Sequence, residues 1–185
     1  MKKRILKLTL SAMFLAIAII VPRIFHIFPG SGGIFLPMHL PVLLCGFVLG
    51  WQYGFAVGLV APILNSLISG MPVMAKVPYM TAELAAYGLI AGLFYLTLNF
   101  KKLRIGGFSL GTLVSLVIAL VIGRIVYAIS LILALYAFGV QNANPIAVID
   151  AFVTGIPGIV IQLVLIPVLL SIIEKTRVFK ELHGK

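Results

Sequence analysis

Acidic side chains are almost missing from this sequence. Asp and Glu number four among 185 residues, and charged residues of either sign make up 10%. A water-soluble domain carries about 25% charged residues, so this chain cannot clothe a surface that faces water. With hydrophobic residues at 62% and a mean hydropathy of +1.23, the bilayer has to be its solvent. Cysteine occurs once, at Cys45 inside an apolar run, which excludes an internal disulfide and reads as a buried filler. There is no G-x-x-x-x-G-K-[ST] loop to cradle the phosphates of ATP, no G-x-S-x-G elbow and no H-E-x-x-H helix. His26, His39 and Glu83 lack metal-ligand spacing. No catalytic residue, metal or cofactor is therefore expected.

What is present is a train of apolar segments. One spanning helix uses about 20 residues, which leaves room for six or seven and none for a separate soluble domain. The expectation is an all-α integral membrane protein, a single domain over 1–185. Its six transmembrane helices fall at about 5–28, 34–50, 53–69, 79–98, 108–138 and 146–173, with a charged tail at 174–185. The start Met1-Lys2-Lys3-Arg4 resembles a signal peptide. The apolar stretch behind it lacks a small-x-small cleavage site before a polar mature region and is followed by further spans, so it reads as a retained first helix. Pro22 predicts a kink, Pro37 and Pro41 interrupt the second segment, and Gly50 to Gly54 reads as a tight turn. Two prolines and a glycine make Gly70 to Pro78 an irregular loop, and Asn142 and Asn144 read as turn residues.

The net charge of +10 is placed at the ends of apolar segments and not along one polar face, so nucleic acid is not the partner. Lys2, Lys3, Arg4, Lys7, Lys101, Lys102, Arg104, Lys175, Arg177, Lys180 and Lys185 are eleven of the fourteen basic residues. Six crossings bring all of them to one side, which predicts both termini in the cytoplasm.

Ionisable groups inside spans cost about 2.5–3.5 kcal/mol each on insertion scales and need a reason. With that orientation, His26, His39, Asn65, Glu83, Arg124 and Asp150 all fall in the outer half, while the inner half holds little beyond Gln162 and hydroxyls. This distribution describes a cup opening outward over an apolar floor, suited to capture of a small polar molecule. Plainer readings stand beside it. Arg124 with Asp150, or Arg124 with Glu83, makes a structural ion pair. Glu83 and Tyr87, four apart on one helical face near Tyr79, make either a packing pair or a ligand wall. His39 caps the second segment or touches ligand. Asp150 partners a helix dipole, and Arg23, His26 and Lys76 snorkel at the interface. Ala12 and Ala16 form a small-residue seam, within the chain or toward another.

Taken together, A-x-x-x-A on the first helix, six helices in 185 residues and an outward polar cup without a motor resemble the substrate-binding S component of an energy-coupling factor (ECF) transporter. Phe35-Leu36-Pro37-Met38-His39-Leu40-Pro41, Gly46 to Gly50, Tyr53-Gly54, Ser69-Gly70-Met71-Pro72 and Glu83-Leu84-Ala85-Ala86-Tyr87-Gly88 are similar to one vitamin-type branch of that family. The resemblance implies capture of a vitamin or precursor outside a bacterial plasma membrane. A membrane coupling subunit and two cytoplasmic ATPases then drive toppling and release inside. It implies that Ala12 and Ala16 face the coupling subunit and that Gly70 to Pro78 is the gate. Glu83, Tyr87, Arg124, Tyr127 and Asp150 would line the pocket beside Tyr79, with His39 and Asn65 behind them. Tyrosines and charges of both signs suit vitamin B6, hydroxymethylpyrimidine or niacin, and Arg124 suits pantothenate. A self-sufficient secondary transporter or channel, and a membrane scaffold or lipid enzyme, remain the alternatives.

Overall fold

The structure, a computed structural model, describes residues 2–25, 31–103, 109–136 and 146–183. His26, Arg104, Asn142 and Asn144 lie outside the described residues, as do the expected helix ends at 26–28, 108 and 137–138. The described chain is helical, with no strand among the described residues, and six of its helical stretches are long and apolar enough to cross a membrane. The expected all-α membrane architecture is what is found.

The helices are α1 (Lys2–Phe25), α2 (Ser31–Phe35), α3 (His39–Leu49), α4 (Trp51–Ser69), α5 (Val77–Gly92), α6 (Leu110–Tyr136), α7 (Ile146–Thr154), α8 (Ile156–Lys175) and α9 (Arg177–His183). α3 is the central one. Nearly all of it is buried, from His39 through Leu49, against α1, α4, α5 and α8. α3 and α4 are joined by one residue, Gly50, at φ 100° and ψ 170°. Only glycine occupies that region without strain, so the expected five-residue turn contracts to a single glycine and Trp51 already starts α4.

In lipid, apolar attraction between helices vanishes, and close backbone contact takes its place. Gly54 on α4 and Gly88 on α5 provide it. A Cβ at Gly54 would sit 2.4 Å from the Gly88 carbonyl oxygen, and one at Gly88 would sit 2.1 Å from that of Gly54. α1 is attached differently. Asn65 of α4 donates Nδ2 to the Ala18 carbonyl at 2.9 Å and to its own Ala61 carbonyl at 3.1 Å. That amide is the polar clasp between α1 and α4.

Two elements depart from the expected segments. The last span is broken at Gly155, because Pro157 lacks an N–H and its ring sits best in a first helical turn, so α8 starts afresh there. The tail is not a free charged end. α8 runs on through Glu174, which accepts a hydrogen bond from Tyr95, and α9 folds back to bury Phe179 and Leu182 in the core. Lys7 reaches the same end of the bundle, donating to the Leu49 carbonyl at 3.3 Å and lying 5.6 Å over the Tyr53 ring. Lys3, Arg4, Lys102, Lys175, Arg177 and Lys180 are exposed around it.

Candidate functional site

A polar cluster is enclosed nearer the opposite end, delivered by α3, α5 and α6. Leu36 and Pro37 follow α2, and the chain re-enters as α3 with His39 as its first residue, 1% exposed. Glu83 lies about 9 Å along α5 from Val77, and Arg124 about 21 Å along α6 from Leu110. Those depths bring the three side chains to one level.

Glu83 is the hub and is 2% exposed. Its Oε1 accepts from the Tyr87 hydroxyl at 2.8 Å and lies 3.0 Å from Arg124 Nη1. Its Oε2 lies 3.8 Å from His39 Nε2, and the His39 and Tyr87 rings stand 5.3 Å apart. Sequence left open whether Arg124 meets Glu83 or Asp150, and the geometry selects Glu83. The Tyr87 ring rests on Gly123, where a Cβ would come within 2.0 Å of it. One turn from Arg124, Tyr127 stands edge-on to Tyr79 at 5.6 Å and 87°.

His39, Tyr79, Glu83, Tyr87, Arg124 and Tyr127 are thus gathered in one region. Asn65 is buried in the seam with α1 and spends its donors there. Asp150 is exposed on α7, and no ion pair joins it to Arg124 among the described residues. Ala12 and Ala16 are exposed on α1, away from the cluster.

Much of the cluster's hydrogen-bonding capacity is unspent. Arg124 Nε and Nη2 and both ring nitrogens of His39 are buried without a hydrogen-bond partner among the described residues. Gln162 on α8 is in the same condition at both amide atoms and is 1% exposed. Sequence reading assigned it to the apolar floor. Its place follows from Gly158, one turn earlier on the same face, whose missing Cβ would strike the backbone of Ile34 and Phe35. α8 packs against both α2 and α3, and Gln162 lies on the face of α8 that Gly158 turns toward them. The signal available in sequence was a lone amide at helical spacing from two small residues, Gly155 and Gly158. By contrast, a recess of about 550 Å³ on the bundle's flank is lined by Phe55, Ala82, Ala85, Ala86, Ile122 and Val126 among others. It is apolar and contains none of the cluster.

Six apolar spans around one enclosed group of unspent donors define a membrane-embedded binding protein. The family model described as "ECF transporter, substrate-specific component" matches residues 6–170, and the chain belongs to that family. No curated protein and no solved structure matches it. Membership makes the chain a substrate-binding transport subunit, not an enzyme, that works with membrane and ATPase subunits on a small-molecule substrate. The self-sufficient channel and the lipid enzyme do not fit it.

Proposed function

We propose that this subunit captures a small water-soluble vitamin or precursor from outside a bacterial cell, at the His39–Glu83–Tyr87–Arg124 cluster, for ATP-driven uptake through its partners. The observation that carries this reading is the set of buried donors left unmet on Arg124 and His39 around a paired Glu83. Each such orphaned group costs about 1–3 kcal/mol, a cost that an occupant bonded to it removes. Tyr79 and Tyr127 supply an aromatic wall beside charges of both signs, and vitamin B6, hydroxymethylpyrimidine, niacin and pantothenate are the candidate substrates. Asn65 serves the seam behind the site, and Asp150 stands at its rim. Basic residues around one end support an orientation with both termini in the cytoplasm and the cluster in the outer half.

Calorimetry of the purified chain in nanodiscs against a B-vitamin panel tests the reading. One compound is expected to bind with nanomolar to micromolar affinity, and uptake into proteoliposomes is expected only with the coupling and ATPase subunits present. A panel without a binder, or uptake by the chain alone, sinks it.

A further inference from the structure

The guanidinium of Arg124 is a planar fork of five N–H donors. Glu83 meets it at Nη1. The unmet nitrogens, Nε and Nη2, share the other edge of the plane, where two N–H bonds run parallel. That edge matches two acceptor oxygens held at a fixed spacing, which is the geometry of a carboxylate. The backbone of the α7–α8 turn approaches that edge so closely that only a glycine fits. Gly155, at the turn between α7 and α8, would place a Cβ 3.0 Å from Nη2 and 3.1 Å from the tip of Leu36.

Further along α8, by two turns or about 10 Å, comes the unpartnered amide of Gln162. Helical side chains lean toward the N-terminus, so the amide reaches back toward the Arg124 level. The Arg124 edge and Gln162 are independent observations, on different helices, of polar groups that no described residue answers.

We infer that the substrate carries a carboxylate, gripped side-on by Nε and Nη2 of Arg124, and a second hydrogen-bonding group answered by the Gln162 amide. This rests on the reading of the chain as a substrate-capturing subunit and narrows it to acidic vitamins or precursors. A primary amide or hydroxymethyl group offers one acceptor where the edge has two donors. A phosphate ester brings up to two negative charges where a carboxylate brings one, so repulsion from the Glu83 carboxylate opposes it more strongly.

The test uses the wild-type chain in nanodiscs and matched probes: nicotinate with nicotinamide, pantothenate with pantothenol, and the neutral pyridoxine and hydroxymethylpyrimidine. One acid is expected to bind, with its neutral twin weaker by on the order of 10–100-fold. Arg124→Lys, which keeps the charge but loses the fork, is expected to erase most of that difference. Gln162→Leu is expected to weaken the acid by about 10-fold. Equal binding within a pair, or pyridoxine or hydroxymethylpyrimidine binding more tightly than both acids, overturns the carboxylate while leaving vitamin capture standing. Failure of all six compounds to bind overturns both. The paired ligands act on unaltered protein, so the result stands even where a variant does not fold.

Discussion

Removing one member of a buried ion pair is more damaging than removing both, because the survivor keeps its charge and loses its counter-charge. Glu83 and Arg124 meet at a single 3.0 Å contact with the glutamate almost wholly buried. Glu83→Gln is expected to destabilise the protein by about 3–5 kcal/mol, a large share of a typical stability of about 5–15 kcal/mol. The double change Glu83→Gln with Arg124→Gln is expected to melt between wild type and the single variant, followed by thermal unfolding in detergent. A double variant that melts below the single one refutes the coupling. At this scale the sequence was informative where helical spacing does the work, as for Glu83 and Tyr87, and where charge demands a partner, as for Arg124. It was silent on Asn65, whose partner is a carbonyl of α1. Every residue owns a carbonyl, so no side-chain pattern announces that bond.

Helices in lipid are positioned by how closely their backbones approach, and here glycine sets the distances. Sequence reading placed the small-residue face on α1, at Ala12 and Ala16, whereas the intimate contact inside the bundle runs through Gly54 and Gly88. Both belong to regular small-residue spacings, but spacing alone does not say which seam is internal. Hydropathy gave the number of long spans, six, since about 20 apolar residues in a row leave little choice. It missed α9, because seven residues with Phe179 and Leu182 three apart are too short a signal. It also missed the break at Gly155, because Pro157 is tolerated inside a membrane helix as well as at the start of one. Gly123 ties this scale to the site. Gly123→Ala thrusts a methyl into the Tyr87 ring, which the Glu83 hydrogen bond holds in place. The expected outcome is a folded protein, monodisperse by size exclusion, whose substrate affinity falls by about 10-fold or more. Unchanged affinity removes Tyr87 from the site.

As a whole, the molecule keeps α3 at its centre and leaves α1 largely facing out. Ile5, Leu8, Met13, Ile17, Ile20 and Ile24 are exposed along α1 beside Ala12 and Ala16. If that face meets the coupling subunit, Ala12→Trp or Ala16→Trp is expected to abolish co-purification with the partners and uptake, while calorimetric affinity stays within about 2-fold of wild type. Loss of binding together with assembly places these alanines in the substrate site's support instead. The separation is plausible on the geometry, because α1 is clasped to α4 at Ala18 and the cluster is carried by α3, α5 and α6.

The mutual neutralisation of Glu83 and Arg124 also has an electrical consequence. On the proposed cycle, the unloaded site reorients across the membrane field without displacing net charge from this pair. An acid bound to the Arg124 edge ends that silence: each turnover moves one negative charge inward. Against an interior-negative potential of 100 mV, that takes about 2.3 kcal/mol of work. The partner ATPases would have to supply it, and import would slow as the membrane hyperpolarises.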